Sequence, residues 1–341
     1  LFFVISGFVV GRSLMGSLDG AAGAGTTRRR VIAAFYCRRF FRLAPMAIVS
    51  IALAYVLYSG FRLIGITSLS ALWRDIELIA TLRLNYAWIA DIRQHPLSIF
   101  WSLVVEEHFY LALPLVLIGV RSVPLRTALA IVIIVGTVAV LRPSQYAAHD
   151  PLVVIGRRIL YATHLALDFF SFGLLVALLE AVRGRLDLVA WRLPLRILSV
   201  ALMVFIFGLG QSWAGDDLGW LMGGRLAASA VLVFLAAQDS GALLPAGTFR
   251  AVLRYIGSRS YGLYLLHIPL LLWFQSLFYE RSSLPVLEVW DLVPVLAFFA
   301  TTLALVEVVH RWLEQPLIDR GRAIAARLAA PSTSSSSMRG V

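Results

Sequence analysis

The chain has 341 residues, of which 60% are hydrophobic and 14% charged, with a mean hydropathy of +0.84; that excludes an ordinary soluble domain. The formal net charge is +11 and every basic residue is Arg, but these residues stand scattered at the ends of apolar runs. The positive-inside rule accounts for them, so nucleic acid is not an implied partner, and a single Cys, Cys37, excludes an internal disulfide.

Repeated apolar runs of about 20 residues predict an all-α integral membrane protein, a polytopic helical bundle. Leu1 to Met15 reads as the end of a span, with Ser6-Gly7 as a small pair that permits close helix contact. The chain starts in mid-run without Met, which reads as a fragment lacking an upstream segment; the alternative is a Leu-encoding start. Residues 12–30 read as a Gly/Ala/Thr-rich loop, and Phe40 to Tyr58 as the next span. Residues 62–96 are interrupted by Arg74, Asp75, Glu77, Arg83 and Asp91, so they read as interfacial helix and loop. Spans follow at 101–120, 125–141, 160–182, 195–210, 219–237, 262–279 and 291–312. The domain reading is a transmembrane region over 1–320 and a cytoplasmic, disordered tail over 321–341, Ser-rich from Pro331 on. Arg-rich loops alternate with acidic or neutral ones if 62–96 does not cross. That gives nine spans here and ten in an intact protein with both termini cytoplasmic.

Four stretches carry ionisable groups where apolar ones are expected. Arg38, Arg39 and Arg42 lie where the second span begins; Arg38 and Arg42 are four apart and share a helix face. Guanidinium forks there suit phosphates, of lipid headgroups or of a phosphorylated donor, while an ordinary positive flank is the plain alternative. In the second stretch Ser102, Glu106 and Tyr110 form one stripe, beside Glu107 and His108, and Pro114 frees the carbonyl of Tyr110. Ionisable groups inside a bilayer usually face a bundle interior and act there, although Glu106 could instead pair with an Arg of a neighbouring helix. In the third, Ser260, Tyr264 and His267 share a face with Tyr261 close by, and Pro269 frees the carbonyl of Leu265. In the fourth, Glu314 lies near Arg311, which fits an ion pair at a helix end as well as it fits chemistry. Asp168 and Arg225 are further charges within spans. They could pair, and His164 is four residues from Asp168. No metal or redox motif is present, so no bound metal or cofactor is expected.

These stretches resemble the membrane-bound acyltransferase 3 family. Phe2-Phe3-Val4-Ile5-Ser6-Gly7-Phe8 is similar to its Phe-rich Ser-Gly-Phe element, and Arg38-Arg39-Phe40-Phe41-Arg42-Leu43-Ala44-Pro45 to its Arg-Arg-x-x-Arg-x-x-Pro element. Ser102 to Tyr110 resembles Ser-Leu-x-x-Glu-x-x-Phe-Tyr, Ser260 to His267 resembles Ser-Tyr-x-x-Tyr-x-x-His, and Glu314-Gln315-Pro316 resembles a closing Glu-x-Pro. The five occur in family order. The resemblance implies a ten-helix enzyme of the bacterial inner (cytoplasmic) membrane. Such an enzyme moves an acyl group, commonly acetyl, from cytoplasmic acyl-CoA, a co-substrate, to a hydroxyl of an envelope saccharide or lipid-linked glycan. It implies Glu106, Glu107, Tyr110 and His267 as catalytic. Arg38, Arg39 and Arg42 would hold the donor phosphates. Ser102, Ser260, Tyr261, Tyr264, Asp168, Arg225 and Glu314 would line the substrate. The family's first helix, with an Arg and then a His regarded as essential, would precede Leu1. Where the family often has an Arg two before its mid-chain Asp, this chain has Ala166, and His164 or Arg225 would take over. Two other readings stay open: a transporter or flippase for a saccharide or anionic solute, disfavoured by the lack of an inverted repeat, and a non-catalytic scaffold.

Overall fold

The computed structural model describes residues 1–21, 23–61, 68–90, 96–144, 162–184, 186–208, 218–238, 247–278 and 292–331. Among them there is no strand. The helices are α1 (Phe2–Asp19), α2 (Arg28–Phe61), α3 (Leu69–Ala80), α4 (Leu84–Ala90), α5 (Phe100–Gly119) and α6 (Val123–Gly136), then α7 (Leu167–Arg183), α8 (Arg192–Phe207), α9 (Leu218–Ala237), α10 (Thr248–Phe278), α11 (Leu292–Val309) and α12 (Gln315–Ala329). Six described stretches are long and apolar enough to cross a membrane: α1, α2, α5, Val123–Ser144, α10 and the continuous run Leu292–Ala329. The protein is thus an all-α polytopic membrane protein, as its composition predicts. The expected spans 160–182 and 195–210 correspond to α7 and α8, which have only 17 and 16 helical residues.

Several element boundaries differ from the sequence expectation. The predicted loop 12–30 is mostly helix, because α1 runs on to Asp19 and Arg28 to Arg30 form the first turn of α2. The helix α10 starts at Thr248, 14 residues before the predicted span at 262, so the Ser258–Tyr261 stretch is helical. Residues 321–329, read from the sequence as disordered tail, belong to the amphipathic α12, which packs on α2. Gly321 makes that contact close: a Cβ there would meet Phe41 Cβ at 2.4 Å. The α3 and α4 helices have 12 and 7 residues, too short to cross, in line with the interfacial reading of the surrounding stretch. Residues 62–67 and 91–95 lie outside the described ones.

Two compact units emerge. One comprises Leu1–Met15, Leu82–Asp91 and Trp101–Leu253; the other comprises Gly16–Thr81, Ile92–Phe100 and Arg254–Val341. In the first, α1 lies against α7 at two glycines. A Cβ on Gly7 would fall 2.2 Å from the Phe170 carbonyl oxygen, and one on Gly173 would fall 2.1 Å from that of Val4. Small residues let the two backbones meet, as membrane helices do where packing replaces the hydrophobic effect. Phe3 then fits among Trp101, Phe169 and Phe170, with ring centroids 6.0, 5.6 and 5.0 Å away. Arg126 is buried and caps α5, its Nε donating to the Val120 carbonyl at 2.8 Å. In the second unit, Gly262 of α10 meets Met46 of α2 and Val306 of α11, its notional Cβ being 3.1 and 3.2 Å from their side chains.

Candidate active site

In the first unit the expected stripe on α5 is buried: Ser102, Glu106 and Tyr110 are at most 4% exposed. The Tyr110 hydroxyl donates to Glu106 Oε1, and so does Ser6 Oγ from α1. One carboxylate oxygen thus accepts from two hydroxyls, which fixes the side chain. The anticipated alternative, an Arg of a neighbouring helix, is not among these two partners. Ser6 reaches Glu106 because its neighbour Gly7 lets α1 approach so closely. From sequence Ser6 stood out for its small size and as part of the Ser-Gly-Phe element, not as a partner of Glu106. Glu107 is half-buried on the same helix.

Asp168 lies in the first turn of α7. Its partner is Arg142, which donates from Nη2 to Oδ1 at 2.7 Å and to Oδ2 at 2.8 Å. Both side chains are fully buried. This corrects the suggested pairing with Arg225. Arg225 is half-buried on α9 and His164 hydrogen-bonds Tyr86. The expected span ends at Leu141, which leaves Arg142 in a flank. In the structure a π-helical turn, Thr137–Leu141, carries the helix past that point and turns Arg142 inward.

The second unit holds the other candidates. Arg38 and Arg39 are half-buried, Arg39 with its guanidinium carbon 5.8 Å from the Phe35 ring centroid, and Arg42 is exposed. The Tyr261 hydroxyl donates to the Leu43 carbonyl of α2 at 2.9 Å, just before the Pro45 break, and the Tyr264 hydroxyl donates to the Ile99 carbonyl at 3.2 Å. The carbonyl of Leu265 freed by Pro269 accepts from Ser50 Oγ at 2.8 Å. His267 Nδ1 contacts the carbonyls of Tyr264 and Leu263 at 2.7 and 3.2 Å. A carbonyl only accepts, so Nδ1 is the donor in these contacts. Ser260 departs from the expected shared face. It is exposed, and its hydroxyl donates to the Gly257 carbonyl of its own helix at 2.8 Å. Glu314 is buried and bonds His310 Nδ1 at 2.7 Å within a second π-helical turn, His310–Glu314. The expected neighbour Arg311 instead pairs with Glu307.

The chain matches the acyltransferase domain of the acyltransferase 3 family over residues 1–308. It belongs to that family. Among curated relatives, O-acetyltransferase OatA of Staphylococcus aureus strain NCTC 8325 is 24% identical over 346 residues, a match covering 94% of this chain and 52% of the relative. OatA of S. aureus strain COL matches with the same identity and shares. The chain therefore spans about half the length of the relatives it matches. No solved structure matches it. Within the family frame, the Ser-Gly-Phe element of α1 and the Glu element of α5 form one hydrogen-bonded group. The Arg element of α2 and the Tyr-His element of α10 form another contact, through Tyr261.

Proposed function

We propose that the chain transfers an acyl group, acetyl by the measure of its relatives' names, from cytoplasmic acyl-CoA to a hydroxyl of a cell-envelope saccharide or lipid-linked glycan, in the bacterial inner membrane. The observation that carries this reading is the buried Glu106 carboxylate clasped by Ser6 and Tyr110, three residues from two motifs of an acyltransferase family. A carboxylate buried among apolar helices is retained for a task more often than for stability.

In the reaction the acceptor hydroxyl oxygen attacks the thioester carbonyl carbon, the C–S bond breaks, and the CoA sulfur leaves and is protonated. A sugar hydroxyl is a weak nucleophile, so a base must take its proton while the donor is held in line. His267, with Nδ1 tied to backbone carbonyls, supports proton handling at the thioester through Nε2. Glu106, Tyr110 and Ser102 orient the acceptor, with Glu107 beside them. Arg38, Arg39 and Arg42 hold the phosphates of the donor as charge-assisted hydrogen bonds. Tyr264, Asp168, Arg225 and Glu314 maintain the lining.

The test is incorporation of labelled acetyl into envelope glycan by cells expressing the full-length protein. Glu106→Gln and Arg42→Ala should abolish or strongly reduce it. Full incorporation by both variants would falsify these assignments. Uptake of a saccharide by proteoliposomes without acyl donor or thioester consumption would favour a transporter instead.

A further inference from the structure

A polar group in the first unit is not used by this chemistry. It surrounds the 3-10 turn Thr163–Leu165 that leads into α7. Thr163 Oγ1 accepts from Asn85 Nδ2 of α4 at 2.9 Å and shares a hydrogen bond of 2.8 Å with His108 Nδ1 of α5. The Leu165 carbonyl accepts from Arg142 Nη2 at 3.1 Å. On the surface, the Tyr86 hydroxyl meets His164 Nδ1 at 3.2 Å, and the two rings lie within 6° of parallel. The C-terminal end of α6, the N-terminal end of α7 and the helix α4 thus meet at one end of the unit.

Arg142 is the telling residue. It is 0% exposed, yet every described hydrogen bond it makes leaves from Nη2. Its Nε and Nη1 have no acceptor among the described residues. A guanidinium has five N–H groups, two of them on Nη2, so three N–H groups are buried without an acceptor among the described residues. Buried donors are normally satisfied, and an exception calls for an explanation. Asp168 already neutralises the charge, so the missing partner need not be an anion. Neutral oxygen acceptors, the hydroxyl, ring or amide oxygens of a sugar, match those donors. The paired Tyr86 and His164 rings add what a sugar also needs, a flat π surface on which C–H groups of partial positive charge can lie.

We propose that this cluster is a binding subsite for a neutral saccharide, with Tyr86 and His164 as the platform and Arg142 as the buried hydrogen-bond donor. As the place of the acyl acceptor it rests on the acyl-transfer reading; as a binding site it stands without it. The mixed network of Asn85, Thr163 and His108 holds the turn that carries His164 in place.

The experiment uses the full-length protein in nanodiscs without acyl donor. The probes are chitotetraose and cellotetraose, with tetragalacturonate as the charged comparison, read by saturation-transfer NMR and titration calorimetry. The wild type should bind at least one neutral tetrasaccharide. Tyr86→Ala and His164→Ala, both at exposed positions, should weaken binding at least tenfold, while Tyr86→Phe, which keeps the ring face, should stay within about threefold. Arg142→Lys should weaken binding further, and a thermal scan shows whether it folds. Unchanged affinity in both Ala variants overturns the proposal, as does binding of tetragalacturonate alone or of none of the three. Saccharide binding by a wild type that consumes no acetyl-CoA supports this site and overturns the acyl-transfer reading. Acetyl-CoA-dependent transfer with unaltered saccharide binding in the Ala variants does the reverse.

Discussion

Arg142 and Asp168, 26 residues apart in the chain, form an ion pair with both side chains fully withdrawn from solvent. The pair joins the end of the α6 helical run to the first turn of α7, and its guanidinium also lies 5.3 Å from the Phe169 ring centroid.

Removing one partner leaves an uncompensated buried charge, so Asp168→Ala or Arg142→Ala should each cost about 3–5 kcal/mol. Replacing both, as in Arg142→Met with Asp168→Leu, should recover most of that loss, because the desolvation of two charges disappears with them. Thermal unfolding in a single detergent measures all three. A double variant no more stable than the singles would refute this account of the pair.

Gly7→Ala and Gly173→Ala should both disrupt the α1–α7 contact, since each new methyl meets backbone that cannot rotate away. The expected loss is about 1–3 kcal/mol or more, typical of overpacking. Gly16→Ala on the same α1 helix meets nothing within 4 Å and serves as the neutral control. Equal melting temperatures for all three would mean that the close approach is not sustained.

For the Glu106 group the expectation is graded. Glu106→Gln removes the charge to which two hydroxyls donate, and labelled-acetyl incorporation should fall about 100-fold or more, in the range of other general acid–base and positioning losses. Tyr110→Phe and Ser6→Ala each remove one donor and should cost about tenfold, roughly one charged hydrogen bond. Protein amounts in the membrane should be unchanged. A Glu106→Gln enzyme as active as wild type would leave the carboxylate a purely structural role.

Ser50→Ala should strand the Leu265 carbonyl that Pro269 frees, at a cost of about 1–3 kcal/mol for an unsatisfied buried acceptor. The double variant Ser50→Ala with Pro269→Ala restores the helix's own donor and should regain much of the loss. The difference between single and double is the measurement that matters. No recovery would place the effect elsewhere.

Arg42→Ala, at an exposed position, should leave folding intact and raise the KM for acetyl-CoA, with a gap that narrows as salt is added. Kinetics at low and high ionic strength check it. A lowered kcat with unaltered KM would argue against a phosphate role.

The all-α membrane class, the α5 stripe and the lack of a spanning helix among the described residues between α2 and α5 were legible from residue types alone, because hydropathy and helical period are local properties. So were the proline breaks. The sequence could say that Pro269 frees a carbonyl but not that Ser50 receives it. Helix ends were less legible: α10 starts well before its apolar part, and residues 321–329 are helical because Gly321 and Ala325 let α12 lie on α2.

Composition and periodicity by themselves settled that this chain lies in a membrane as helices, and which helices carry polar stripes. Tertiary structure alone decided the partners. Glu106 accepts from the hydroxyls of Ser6 and Tyr110, Asp168 took Arg142 rather than Arg225, and Glu314 took His310 rather than Arg311. The reason is physical. Spacing along one helix tells which side chains share a face, but a pairing between helices depends on how closely two backbones approach and where a π-helical turn re-aims a side chain. Here those matters are set by Gly7 and Gly173 across α1 and α7, and by single turns at 137–141 and 310–314.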